Sequence, residues 1–116
     1  MSPSDAIPVI TAPPRRDWDP QPGEVRCFLQ EPLPRVVMRG EIDMTTEPQL
    51  SAAYRELALL PPTDIVLDLG EVTFFGCVAL RLVVQLTARL TPTDHKLLIP
   101  SPSRPARRLL ELAGFV

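Results

Sequence analysis

The rhythm of apolar and polar positions changes several times along this chain. From Val25 to Gln30 and from Arg35 to Ile42, apolar and β-branched residues alternate with polar ones, the two-residue period of a strand with one covered face. Glu31-Pro32-Leu33-Pro34 breaks the run between them, so the pattern predicts a β-hairpin. Thr45-Thr46-Glu47-Pro48 then supplies capping hydroxyls and an early proline. Leu50, Ala53, Tyr54, Leu57 and Leu60 follow at helical spacing until Pro61-Pro62 stops them, which predicts an amphipathic helix. Asp64 to Leu69 alternates again and closes at Gly70, as a strand does. A loop through Phe74-Phe75-Gly76 is expected to lead into a second helix over Cys77 to Leu90. Leu80, Val83, Val84 and Thr87 would make one of its stripes and Leu82, Leu86 and Leu90 another, so that two sides are buried. Thr91-Pro92-Thr93-Asp94 breaks the chain, and Lys96 to Ile99 makes a short strand. Ser101-Pro102-Ser103 caps a last helix from Arg104 to Ala113, with Gly114 where a left-handed terminating residue belongs.

The predicted order is β-β-α-β-α-β-α in an α/β fold. Each β-α-β passage asks for a right-handed crossover between parallel strands, and the hairpin adds one antiparallel edge strand. Clear polar alternation, with Val37, Arg39 and Glu41 opposed to Val36, Met38 and Ile42, predicts a mixed sheet with helices mainly on one face.

Residues 1–22 follow no such period. Prolines at 3, 8, 13, 14, 20 and 22 remove backbone donors among Ser, Asp and Arg, so this stretch is expected to be a disordered proline-rich tail ahead of a folded domain over 23–116. Trp18 is its exception, either a partly exposed side chain on that arm or a group that docks on an exposed sheet face or a partner. The tail lacks the basic start and apolar stretch of a secretory signal, which makes the cytoplasm the default location.

Charge and composition narrow the function further. Twelve Lys+Arg against fourteen Asp+Glu leave a net charge of −2, with no positive field to attract nucleic acid. No apolar run reaches the roughly 20 residues of a membrane span, because Arg81, Gln85, Arg89 and Pro61 interrupt the longest ones. Cys27, Cys77 and the single His95 support neither a zinc site nor a disulfide framework, and no metal or other cofactor is expected. The five glycines are scattered singly rather than gathered into a phosphate-cradling loop, and no nucleophile stands with a base, so no catalytic group is assigned. His95 reads as a solvated turn or strand-edge residue, and Asp64 and Asp68 as a solvated polar strand face. Cys77 opens a helix, a place that can activate a thiol, but Phe74, Phe75 and Val78 beside it favour inert packing over a regulatory or catalytic thiol. Asp43 ends a strand ahead of the first helix and can cap the Thr45 or Thr46 amide.

Gly40-Glu41-Ile42-Asp43 with Thr46, Pro48 and Leu50 resembles the signature of anti-sigma-factor antagonists built on a STAS domain. Asp64 to Leu69 followed by Val72-Thr73-Phe74-Phe75 resembles that family's central strand and approach loop. Ser101-Pro102-Ser103 and the run from Arg107 to Phe115 resemble its closing helix. The resemblance spans Val36 to Phe115 in the right order. It implies a non-enzymatic regulatory protein that binds an anti-sigma factor of the histidine-kinase-like ATPase type and so releases a sigma factor. It places partner contacts at Asp43, Thr46, Phe75, Gly76, Cys77, Val78 and Ala79.

Two departures qualify the resemblance. In the family the loop that opens the second helix reads Asp-Ser-Ser-Gly, and its second serine is the phosphoacceptor. Here the four places read Gly76-Cys77-Val78-Ala79, so Val78 stands where the serine would be and no phosphoacceptor is left. A carboxylate at Val78 is then expected to block the partner while leaving the fold intact. The family also continues past the equivalent of Phe115 into another strand and helix, whereas this sequence stops at Val116, so that either the protein is naturally short or a segment is missing. An alternative reading makes the chain a STAS-type structural subunit of a transporter-ATPase or stress-signalling assembly.

Overall fold

The computed structural model describes residues 21–30 and 32–115. Most of the expected tail, Trp18 included, lies outside them. Strand β1 (Glu24–Phe28) and strand β2 (Arg35–Ile42) pair antiparallel, with Glu24 opposite Arg39 and Phe28 opposite Arg35. The Arg35 guanidinium stands 5.2 Å from the centre of the Phe28 ring, at the end of the hairpin next to its turn. A single turn of 3₁₀ helix, Met44–Thr46, leads into helix α1 (Glu47–Ala58), and the chain returns as strand β3 (Ile65–Phe75). Helix α2 (Cys77–Leu90), strand β4 (Leu97–Leu98) and helix α3 (Arg104–Leu112) complete the order. The sheet runs β1-β2-β3-β4, with β2, β3 and β4 mutually parallel. Each crossover therefore advances to the next strand in the same direction, and crossovers of one hand that advance one way lay their helices on one face.

That face carries the core. Val36, Met38 and Ile42 of β2, Ile65, Leu67 and Leu69 of β3, and Leu82, Val83 and Leu86 of α2 meet Leu50 and Leu57 of α1 and Leu110 of α3. The opposite face keeps Arg26, Val37, Arg39 and Asp68 in partial or full contact with solvent.

Three expectations need correction. β3 does not end at Leu69 but runs on to Phe75, pairing Gly40 with Val72 and Ile42 with Phe75. Register shifts between Val37 and Arg39 and between Gly40 and Glu41 break the alternation on which the shorter strand was drawn. Helix α2 buries one broad face, not two sides, because Val84 is 47% exposed while Val78, Ala79, Leu82, Val83, Leu86 and Leu90 are buried. β4 pairs at Leu97–Leu98 alone. Gly40 has φ +75°, and a Cβ there would collide with the Pro22 carbonyl, which is why glycine stands in the middle of β2.

Candidate partner-binding site

The predicted contact residues gather where β2 and β3 end side by side. Ile42 pairs with Phe75, so Asp43 and Gly76, the next residues on each strand, leave the sheet as neighbours. The Gly76 amide donates to the Ile42 carbonyl at 2.9 Å and holds the two exits together. A Cβ on Gly76 would stand 3.0 Å from the Ile42 oxygen and 3.1 Å from the Phe74 ring, so any larger residue must push one of them aside. Gly76 is the N-cap of α2 in extended conformation and offers no side-chain oxygen to the helix amides.

Asp43 caps the 3₁₀ turn. Its Oδ1 accepts from the Thr45 amide at 2.9 Å and from the Thr45 hydroxyl, and its carbonyl accepts from the Thr46 amide and hydroxyl at 3.0 and 2.6 Å. Hydrogen bonds from the Thr45 side chain and then its amide hold the Asp43 carboxyl below its ordinary value, because they favour the charged form. The expected capping role is thus present, although it falls on the 3₁₀ turn and on Thr45 rather than on the α-helix itself. Thr46 is buried with its hydroxyl satisfied, so it braces the turn from beneath.

The predicted residues divide by exposure. Asp43 and Gly76 are half-exposed and Cys77 is exposed, whereas Thr46, Phe75, Val78 and Ala79 are buried and support that surface from within. Cys77 is thus not the packed thiol its neighbours suggested. It is the first residue of α2, and the inward face of the helix begins one residue later at Val78. Val78, at 8% exposure, belongs to the core cluster.

Sequence reasoning left out two groups that the structure brings to this surface, Met44 at 75% and Phe74 at 50% exposure. The signal for Phe74 was present, since two adjacent strand residues point to opposite faces and one of Phe74 and Phe75 must therefore leave the core. Reading those residues as a loop hid it.

The remaining candidates have local partners. Asp64 accepts from the Lys96 amide at 2.9 Å and lies 3.2 Å from His95 Nδ1, which ties the start of β3 to the approach of β4. The Lys96 amide first, and then His95, hold its carboxyl below the ordinary value. Asp68 accepts from the Gly70 amide at 3.2 Å. Burial, reinforced by Glu56, pushes the Cys27 thiol up to about 12, so it stays protonated. Among the described residues no group of three or more His, Cys, Asp and Glu side chains could hold a metal ion. No helix among them is long and apolar enough to cross a membrane.

A small mixed sheet with its helices on one face, and a capped turn beside a helix start at the ends of two parallel strands, make a STAS-type fold. Residues 30–116 match the family model described as "Mlab, STAS domain", and the chain belongs to that family. Among solved structures it is similar to an anti-sigma factor antagonist from Mycobacterium paratuberculosis. The two share 29% identity with a TM-score of 0.63, over 80% of this chain and 79% of that one. It is also similar in fold to the anti-sigma factor antagonist SpoIIAA in its unphosphorylated form, at 18% identity and a TM-score of 0.65, over 79% of this chain and 82% of that one. No curated protein sequence matches it significantly. The fold is that of an anti-sigma-factor antagonist.

Proposed function

We propose that this chain is a non-enzymatic regulator that binds an anti-sigma factor of the histidine-kinase-like ATPase type in the cytoplasm, without a serine phosphoswitch. The observation that carries the reading is the surface where β2 and β3 end. It sets Met44, Phe74 and Cys77 around the half-exposed Asp43, with no hydroxyl anywhere in Gly76-Cys77-Val78-Ala79. A phosphate brings roughly −1.5 to −2 charge at neutral pH and three acceptor oxygens, enough to repel Asp43 and a packed partner. With no acceptor oxygen at these four positions, that repulsion has no origin here, and binding is constitutive or governed elsewhere.

A second reading, a STAS-type structural subunit of a transporter-ATPase or stress-signalling assembly, is kept because the matching family model names Mlab and no anti-sigma factor. Affinity purification from the native host separates the two, with Cys77→Glu run in parallel. Cys77 is exposed, so the variant folds and places charge on the surface alone. Loss of a histidine-kinase-like ATPase from the Cys77→Glu sample supports the first reading, and loss of a transporter ATPase supports the second. An unchanged set of bound proteins moves the contact to another face.

A further inference from the structure

The chain leaves α1 at Ala58, and Pro61-Pro62 lead it toward β3. Two successive prolines have a fixed φ and no amide to donate, so this link stands off the helix ends rather than closing over them. A cavity of about 130 Å³ is left between the ends of α1 and α2 and the start of β3. Leu57, Leu60, Ile65 and Leu90 give it an apolar wall, and all but Leu60 of these are buried. A dry apolar cavity of about 150 Å³ takes a molecule the size of benzene, so this one has room for about five carbons.

Arg89 lines the same cavity from the exposed side of the last turn of α2. Its Nη2 donates to the Ala58 carbonyl, one of the acceptors left over where α1 ends. That bond joins the two helix ends and fixes the guanidinium beside the cavity, while most of its five N–H donors stay available. No acidic residue lines the cavity, and Arg89 has no ion-pair partner among the described residues. Arg89 is also the one cation of that lining, which suits a single negative charge. The other polar group at this end, the Thr93 hydroxyl, already donates to the Leu90 carbonyl at 2.8 Å. An apolar body with one carboxylate therefore matches both halves of the lining, since a guanidinium bonds a carboxylate more strongly than any neutral acceptor.

We propose that this cavity binds a short apolar monocarboxylate, its tail against Leu57, Leu60 and Leu90 and its carboxylate on Arg89. Helix α2 runs from Cys77 to Leu90, about 20 Å, so the site lies at the far end of the helix from the strand exits and does not depend on the partner they meet. Hexanoate, whose tail has five carbons, is the probe, titrated into the intact protein and followed by amide NMR shifts. The expected result is saturable shifts confined to Thr63, Ile65, Leu90 and their neighbours, with a Kd of about 1 mM. 1-Hexanol, with a similar tail and no charge, should bind about tenfold more weakly, and Arg89→Gln should bring hexanoate down to the same level. Shifts that spread over the surface or rise without saturating overturn the proposal. Equal binding of hexanoate and 1-hexanol by the parent overturns it as well, and that comparison needs no variant should Arg89→Gln fail to fold. Undiminished hexanoate binding by a folded Arg89→Gln protein is the third result that sinks it.

Discussion

Cys77 and Val78 are adjacent, yet one is exposed and the other belongs to the core. The helix start turns between them, and this decides how a charge at each position acts. Val78→Asp removes apolar burial and sets a carboxylate at the margin of the core, a cost of roughly 2–4 kcal/mol from lost burial and desolvation together. A clear fall in melting temperature is therefore expected, and the sequence-based expectation that this substitution spares the fold does not hold. Cys77→Glu should melt within a degree or two of the parent, because surface changes away from caps and cores stay near ±0.5 kcal/mol. Scanning calorimetry of the two variants checks the contrast. A Val78→Asp protein as stable as the parent would mean that the helix start opens more easily than its burial implies.

Helix α2 repeats the lesson over four turns. Leu86 is fully buried and Val84 is 47% exposed, although both sat in stripes that the periodicity marked as covered. Leu86→Ala should cost about 2–5 kcal/mol by emptying core volume, and Val84→Ala well under 1 kcal/mol. Urea titration reads both from one fitted slope. Elements with punctuation were legible in the sequence. Pro48 just inside α1, the Ser103 cap of α3 and Gly114 at φ +85° mark helix ends by chemistry that acts within a few residues. The second half of β3 was not legible. It bulges twice against β2, a neighbour distant in sequence, taking an extra residue between Asp68 and Glu71 and another between Val72 and Phe74, and Gly70, Glu71 and Thr73 interrupt its alternation. The candidate site was legible as a place and only partly as a surface. The motifs bring Asp43 and Gly76 together at the strand ends, but whether Thr46, Val78 or Phe74 faces outward depends on how α1 and α2 close over the sheet.

Across the molecule, Asp43 and Asp64 are both held below the ordinary carboxylate value of 3.8. A folded-state value lower than the unfolded one means that the unfolded chain binds more protons in that range. The stability these groups contribute is present above about 3.8 and is lost as pH falls through the lowered values. Asp64→Asn should melt lower than the parent at neutral pH, and the gap should close as pH falls below the ordinary carboxylate value of 3.8; a gap constant with pH would assign the loss to packing. The order of strands in the sheet also has a consequence in time. β1 meets β2 through a short turn, but Arg35 reaches Val66 only after the whole of α1 has been bridged. Closing that loop costs entropy before any contact across it repays the loss. β4 and α3 then add to a β3 already in place. Leu67→Ala, in β3, should therefore slow refolding, and Leu110→Ala, in α3, should mainly speed unfolding, as stopped-flow measurements in urea would separate. A strand that lies second from the edge in space is thus the point at which folding commits.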